Sequence, residues 1–97
     1  MTAYMIAQVN VTDPEKFEEY RALVPATLEK YGGRFIVRGG ETAALEGEMP
    51  YPRLVVIEFP DMDAIKRWHA SEEYAKPIQM RQAASDSVLV AVDGYDG

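Results

Sequence analysis

Four stretches of the chain alternate between apolar and polar side chains, which is the pattern of a half-buried β-strand. These stretches are residues 3–11, 34–38, 53–59 and 86–94. Successive side chains of a strand point to opposite faces of its sheet, so the alternation gives each stretch two faces of different character. The chain therefore predicts four strands.

Two regions between these strands carry apolar side chains at helical spacing. For the first helix, Thr12 or Asp13 is the N-cap, and Gly32 is the natural stop because glycine readily adopts the left-handed conformation. Asp61 caps the second helix, and Ser71 begins a further helical segment. The predicted order is strand, helix, strand, strand, helix, strand.

Prolines lie inside both helical regions. Proline has no N–H to donate, and its ring crowds the preceding turn. We therefore expect Pro25 to kink or break the first helix near Arg21, and Pro77 to interrupt the second helical region early.

This order of elements predicts the α+β ferredoxin-like fold, βαββαβ, with a four-stranded antiparallel sheet that carries the helices on one face. Apolarity suggests which strand side chains lie beneath the helices: Met5, Val9, Val11, Phe35, Val37, Val55, Ile57, Phe59, Val88, Val90 and Val92. The opposite face then mixes apolar and polar side chains. Such a mixed face suits a homodimer in which two sheets face each other across a partly wet cavity.

Length and composition narrow the function. The 97 residues are expected to form one domain, 1–97, with a formal net charge of −6 and no cysteine. An acidic chain is unsuited to nucleic acid, which is bound through a basic face. No signal peptide and no membrane-spanning run is visible, so we expect a cytoplasmic protein that does not bind membranes.

Two arginines on one short strand are the first candidates for chemistry. By strand parity Arg34 and Arg38 share the mixed face with Glu58, and hairpin pairing would let either arginine reach that carboxylate. One interpretation is a structural ion pair, because an unpaired buried charge costs roughly 3–5 kcal/mol. The other is an arginine that binds a carboxylate or stabilises an enolate. We expect Arg38 to point into the cavity at its mouth and Arg34 to be the more structural residue.

The glycine pair after this strand belongs to the same candidate site. Gly39 and Gly40 keep the backbone beside Arg38 free of side chains, so that the anionic group of a ligand can approach. The pair leads into a loop rather than a helix N-terminus, which argues against a phosphate cradle.

Other candidate residues are scattered along the chain. Tyr4 is the tyrosine expected to face the cavity, whereas Tyr20 is expected in the helical core with a wet hydroxyl group. His69, the single histidine, is either a helix-end surface residue or a general base at the mouth of the pocket. Arg53 and Arg81 are interpreted as solvated or ion-paired residues, and Arg81 is kept as a candidate ligand contact.

The sequence offers no site for a metal ion or a cofactor. A single histidine excludes multi-histidine metal sites, and the absence of cysteine excludes thiolate sites. The carboxylates of residues 41–48 lack the alternating spacing of a calcium loop. We expect no metal and no cofactor.

Several of these motifs resemble one bacterial family. "YGGRFIVRGG", "LEG", "RLVVIEFPDMDAIKRWHASEEY" and a downstream arginine are similar to the family named domain of unknown function 1330. The matching positions are Gly33, Arg38, Gly39, Gly40, Glu58, Ser71, Tyr74 and Arg81. The resemblance implies the dimeric α/β-barrel superfamily, which includes cofactor-free monooxygenases, an isomerase, haem enzymes and ligand-sensing domains. The resembled family has no established activity, so it implies no catalytic residue.

Three functions remain open, and whether the protein is an enzyme is not fixed by its sequence. The first is binding of a small anionic or phenolic molecule in a cleft beside the dimer-facing sheet. The second is a cofactor-free monooxygenase or isomerase, with an arginine that stabilises an enolate. The third is a non-catalytic dimerisation or partner-binding module, because fold does not determine function.

Overall fold

A computed structural model describes residues 1–95 as one sheet with helices on one side of it. The elements in chain order are β1 (Ala3–Val11), α1 (Pro14–Leu28), a 3₁₀ turn (Glu29–Tyr31), β2 (Arg34–Arg38), β3 (Arg53–Phe59), α2 (Met62–His69), α3 (Glu72–Ala84) and β4 (Ser85–Asp93). The four strands pair antiparallel in the order β2-β3-β1-β4. The predicted α+β ferredoxin-like fold is confirmed.

The helices begin and end where the sequence signals stand. Asp13 caps α1 by accepting a hydrogen bond from the N–H of Lys16, and Asp61 and Ser71 cap α2 and α3 in the same way. Gly32 ends the 3₁₀ turn with a left-handed φ of 72°. Each side-chain oxygen satisfies a backbone N–H that has no partner within the helix. No helix within residues 1–95 is long and apolar enough to cross a membrane.

Neither proline breaks its helix. Helix α1 contains Pro25 and α3 contains Pro77, and both helices run without interruption, so the predicted breaks are wrong, while the kink that was the other outcome expected at Pro25 stays a prediction. Pro25 has no N–H to donate to the carbonyl of Arg21, four residues earlier. That carbonyl instead accepts a hydrogen bond from Nη2 of Arg38 on β2, at 2.9 Å. A side chain from the sheet thus replaces the missing helical donor.

The core lies between the helices and the sheet. Its largest fully buried side chains are Trp68, Tyr74, Phe59 and Ile57. The rings of Trp68 and Tyr74 stack with their centroids 4.1 Å apart. The indole Nε1 of Trp68 donates to Oγ1 of Thr27 at 3.0 Å and so fixes α2 against α1. These contacts form the rigid support for the helix side of the sheet.

A β-bulge in β2 changes the face on which two residues lie. Phe35 pairs with Ile57, but Val37 pairs with Val56 because Ile36 is an extra residue in β2. A bulge of one residue moves every later side chain of the strand to the other face. Val37 therefore lies on the face away from the helices and Arg38 on the helix side, the reverse of the prediction for both residues.

The faces of β4 are also opposite to the prediction. Val88, Val90 and Val92 are 50%, 52% and 45% exposed and lie on the face away from the helices. Leu89 and Ser87 face the helices instead. Nε of Arg81 on α3 donates to Oγ of Ser87 at 3.2 Å, which places the Ser87 hydroxyl group beneath α3. Both faces of β4 are partly apolar, and alternation alone could not distinguish them.

The sheet face away from the helices, here called the open face, is largely apolar. It carries Tyr4, Ile6, Gln8, Arg34, Val37, Leu54, Val56, Glu58, Val88, Val90 and Val92, as the strand register shows.

Candidate functional site

A small cavity of about 40 Å³ lies between the helices and the sheet. Its apolar lining consists of Met5, Ala7, Val9, Phe17, Val24, Phe35, Val55, Ile57 and Leu89, and its polar lining consists of Tyr20, Arg21, Arg38, Arg53 and Arg81. A single water needs roughly 10–15 Å³ on the same scale, so the cavity has room for roughly three waters, about the size of the polar end of a small organic acid. We call it the arginine cavity.

Arg38 enters this cavity from the end of β2. The bulge turns its side chain to the helix side, where its guanidinium stacks 4.1 Å from the centroid of the Phe35 ring. The hydrogen bond to the carbonyl of Arg21 holds the other side of the group. Stacking on an aromatic ring and a hydrogen bond together fix the guanidinium in one orientation.

Arg53 enters from the first position of β3, next to Gly39. Its guanidinium lies 5.5 Å from the centroid of the Phe17 ring. Gly39 has a φ of 69°, and a Cβ at this position would overlap the Arg53 guanidinium. The missing side chain of Gly39 therefore leaves the space that the guanidinium occupies, whereas Gly40 is exposed and has no heavy atom within 4 Å of its would-be Cβ.

Three positive charges repel one another around the cavity. Burial, and then the charge of Arg21, lowers the pKa of Arg38, and the same causes together with Arg38 lower the pKa of Arg53. Arginine stays protonated at any physiological pH, so the repulsion persists. Glu18, on the exposed surface of α1, offsets part of it through an ion pair of 3.5 Å with Arg21.

The cavity itself supplies no balancing negative charge. No carboxylate is among its lining residues in the described part of the chain. The Nε atoms of Arg21 and Arg53 are buried without a hydrogen-bond acceptor from residues 1–95. A buried donor without an acceptor costs about 1–3 kcal/mol, which an anion bound in the cavity would recover.

A fourth arginine begins a chain of hydrogen bonds on the other side of the cavity. Arg81 is 6% exposed, and none of the three ion pairs within residues 1–95 includes it. Its Nη1 donates to Oη of Tyr74 at 2.9 Å, and the hydroxyl groups of Tyr74 and Tyr20 lie 2.7 Å apart. Burial is the main cause that raises the pKa of Tyr74, so this phenol stays neutral.

The direction of this chain follows from the burial of Tyr74. An arginine can only donate, so Oη of Tyr74 accepts from Arg81. Tyr74 is fully buried, and the only acceptor near its own hydrogen in residues 1–95 is Oη of Tyr20. Leaving that hydrogen without an acceptor would cost about 1–3 kcal/mol. Tyr74 therefore donates to Tyr20, and the hydroxyl hydrogen of Tyr20 is free to point into the cavity.

The structure places the predicted site residues in three different parts of the fold. Arg38 and Arg81 line the arginine cavity, and Gly39 lies beside it. Tyr4 and Glu58 lie on the open face, where Glu58 pairs with Arg34 at 3.1 Å. The prediction that Arg38 and Glu58 share a face is therefore wrong, because the bulge at Ile36 separates them. The sequence allowed either Arg34 or Arg38 to form an ion pair with Glu58, and in the structure Arg34 forms it.

His69 lies in a different place. It is exposed at the end of α2 and lines a separate cleft of about 280 Å³, together with Lys66 and Trp68, between α2 and β4. No group of three or more potential metal-ligating side chains occurs within residues 1–95.

Sequence reasoning missed Arg21, Arg53 and Tyr20 as members of one site. Arg53 had a signal, because strand parity places it with Val55 and Ile57 on the core face, where an arginine is unusual. Arg21 also had one, because it stands four residues before Pro25, whose missing N–H leaves the Arg21 carbonyl free. Tyr20 gave no signal beyond the apolar helix face.

Comparison with known proteins finds one matching protein family and several solved structures with a similar fold. The family described as Domain of unknown function (DUF1330) matches residues 2–95. A protein of unknown function from Rhodopseudomonas palustris, RPA0582, superposes with a TM-score of 0.81 at 19% identity, over 99% of this chain and 84% of its own. Comparison of the sequence with curated proteins finds no match.

Two further solved structures share the fold. SnoaB, a cofactor-independent oxygenase from Streptomyces nogalater, has a TM-score of 0.70 at 18% identity, over 99% of this chain and 95% of its own. A dimeric ferredoxin-like protein of unknown function from Jannaschia sp. CCS1 has a TM-score of 0.74 at 13% identity, over 97% of this chain and 100% of its own. At sequence identities this low, the superpositions establish a shared fold only, and the function has to be argued from the residues of the site.

Proposed function

Because the chain belongs to the DUF1330 family, which has no assigned function, we propose a function from the cavity itself. The protein binds a small organic anion in the arginine cavity, between the helices and the sheet. Arg38, Arg53 and Arg21 contact its negatively charged oxygens. This location differs from the cleft on the mixed sheet face that the sequence predicts.

One observation carries this proposal. Three guanidinium groups converge on an apolar cavity that no carboxylate lines in the described part of the chain. Like charges brought together in a half-buried place raise the free energy of the folded protein. A bound carboxylate or enolate would offset that cost, and the planar fork of a guanidinium suits two oxygens at once.

Arg38 is the residue we expect to contribute most to binding. Its guanidinium is held by Phe35 and by the carbonyl of Arg21 before any ligand arrives. A group that is already fixed loses little conformational entropy on binding, so more of its interaction energy appears as affinity.

Binding is better supported than catalysis. An oxygenase or isomerase acting through an enolate, as the sequence allows, needs a general base near the pocket arginine. No histidine, aspartate or glutamate of residues 1–95 lines the cavity, and Tyr74 is held neutral by burial. The likeness to SnoaB supports the shared fold only. Within residues 1–95, the cavity lining supplies no carboxylate or imidazole to accept the proton that this alternative must remove.

The purely structural alternative is also weaker than binding. A module without a ligand would be favoured if Glu58 neutralised Arg38, but Glu58 pairs with Arg34 on the other face. The homodimer itself remains part of the proposal. Ile36, Val37, Val88, Val90 and Val92 are 36–52% exposed on the sheet, and a second copy would cover them. The dimeric description of the Jannaschia protein is in line with this.

The binding proposal predicts that substitution of one arginine lowers the affinity for an organic anion, whereas substitution of another does not. Pentanoate is titrated into ¹⁵N-labelled protein, and the affinity is taken from the amide chemical shifts. Arg38→Ala is expected to weaken binding by tenfold or more, since a hydrogen bond to a charged group contributes about 1.5–3 kcal/mol. Arg34→Ala, on the open face, is the matched control and is expected to keep the wild-type affinity.

Stability separates a binding residue from a structural one. Chemical denaturation of Arg38→Ala is expected to show a loss of about 1–2 kcal/mol, the usual range for a point substitution. If Arg38→Ala instead unfolds most of the protein while each folded chain binds pentanoate as before, Arg38 is a structural residue and the proposal is wrong.

A further inference from the structure

Every polar side chain that lines the arginine cavity in the described part of the chain offers a hydrogen-bond donor. Four are arginines, which have no acceptor atom. The fifth is Tyr20, whose oxygen already accepts the hydrogen of Tyr74 and whose own hydrogen is free. A ligand that fills this cavity well therefore presents acceptors only.

The donors come from two different parts of the structure. Arg21, Arg38 and Arg53 form one group. Their positive charges lie close enough to repel one another, and Arg38 donates a hydrogen bond to the Arg21 carbonyl. Tyr20 ends the other group, a chain that begins at Arg81, which is buried and forms no ion pair within residues 1–95. Because Arg81 donates to Tyr74 and Tyr74 to Tyr20, each step makes the next hydroxyl group a better donor.

From this arrangement we infer that the ligand is a small oxo-acid, whose carboxylate binds the three arginines and whose carbonyl oxygen accepts the hydrogen bond of Tyr20. Tyr74 and Arg81 act as positioning residues for Tyr20. The inference rests on the proposed function and narrows it from any organic anion to one class.

The donor-only lining also separates oxo-acids from hydroxy-acids. A ketone oxygen accepts and has no hydrogen of its own, whereas an alcohol group brings a hydrogen for which the side chains that line the cavity within residues 1–95 supply no carboxylate or amide acceptor. A plain carboxylic acid leaves the hydrogen of Tyr20 without a partner. Both should therefore bind more weakly than the oxo-acid.

Four acids with the same carbon chain test this. Pentanoate, 2-hydroxypentanoate, 2-oxopentanoate and 4-oxopentanoate are titrated into the full-length protein by calorimetry or NMR, and the two oxo-acids place the second oxygen at two distances from the carboxylate. At least one oxo-acid is expected to bind about tenfold more tightly than pentanoate, the effect of one hydrogen bond to a strong donor.

The variants identify which group makes the distinction. Tyr20→Phe is expected to remove the preference for the oxo-acid, so that the ratio of the oxo-acid affinity to the pentanoate affinity falls to about one. Tyr74→Phe, which removes the donor that orients Tyr20, is expected to reduce the preference partly. Tyr31→Phe is the matched control, because the Tyr31 hydroxyl donates to Glu73 away from the cavity.

The outcomes distinguish this inference from the proposed function. If pentanoate and both oxo-acids bind wild-type protein equally, or if Tyr20→Phe keeps the preference, the oxo-acid inference is wrong and anion binding stands. If none of the four acids binds wild-type protein, the proposed function is wrong and the inference falls with it.

Discussion

Gly39 determines, as a single residue, whether Arg53 reaches the cavity. Its left-handed φ of 69° and its missing side chain serve two needs at once, the turn after β2 and the space for the Arg53 guanidinium. The neighbouring Gly40 has open space around it and meets neither need. The two glycines look alike in the sequence, and only their surroundings distinguish them.

Gly39→Ala is expected to destabilise the protein and weaken anion binding. A left-handed alanine costs about 1 kcal/mol, and the new methyl group must displace the Arg53 guanidinium. Thermal unfolding and the pentanoate titration measure the two effects. Gly40→Ala is the control and should change neither; an equal loss in both variants would contradict the role given to Gly39.

Helix α1 contributes to the site through a defect in its own hydrogen bonding. Pro25 leaves the Arg21 carbonyl without a helical donor, and Arg38 takes that place. The same helix presents Tyr20 and Arg21 to the cavity as polar side chains and Phe17 and Val24 as apolar ones. A proline that looks unfavourable for the helix is thus part of what orients an arginine of the sheet.

Pro25→Ala is expected to raise stability while lowering affinity. The new N–H restores the helical bond to the Arg21 carbonyl, which should add about 1–2 kcal/mol to the free energy of unfolding. Arg38 then shares the Arg21 carbonyl with a backbone N–H, which weakens the bond that orients its guanidinium, and the affinity for pentanoate should fall by up to about fivefold, the effect of one ordinary hydrogen bond.

A double-mutant comparison tests whether the two effects share this cause. In an Arg38→Ala background, Pro25→Ala should still raise stability but should not lower the remaining affinity. Equal losses of affinity in both backgrounds would mean that Pro25 acts on the site by another route.

At the scale of the whole molecule, the fold has only two layers. The Cα atoms span 35 × 33 × 16 Å, and the short dimension holds one sheet and one layer of helices. The helices cover one face of the sheet, and the open face keeps its exposed valines. The arginine cavity lies between the two layers, so a dimer formed through the open face would leave it within each protomer.

Val90→Asp is expected to separate the proposed dimer. Val90 is 52% exposed on the open face, opposite Ile6, and a carboxylate there would be buried without a partner in a dimer. Light scattering should give twice the 10.9 kDa chain mass for wild type and a single chain for the variant.

The loop variant Leu45→Asp, at a side chain that is 92% exposed, is the control and should remain dimeric. A wild-type protein that scatters as a single chain at micromolar concentration would contradict the dimer.

The sequence by itself determined the elements, their order and the starts of the helices. Period-two alternation located the strands, and local side-chain bonds at Asp13, Asp61 and Ser71 located the starts of the helices. These features depend on residues that are near one another along the chain. The sequence also showed that a short strand with two arginines mattered, and the ion pair of Arg34 with Glu58 follows from simple parity.

Only the tertiary structure decided which face each functional side chain occupies. One extra residue at Ile36 reverses Arg38, and the alternation of Val88, Val90 and Val92 fits either face because both faces of the sheet are apolar. Helix α1 continues through Pro25, and the helical donor that Pro25 lacks is replaced by Arg38 from strand β2. Such outcomes depend on partners distant in the sequence. The polar side chains of the arginine cavity come from four separate elements, α1, β2, β3 and α3, so the cavity emerges only when these elements pack together.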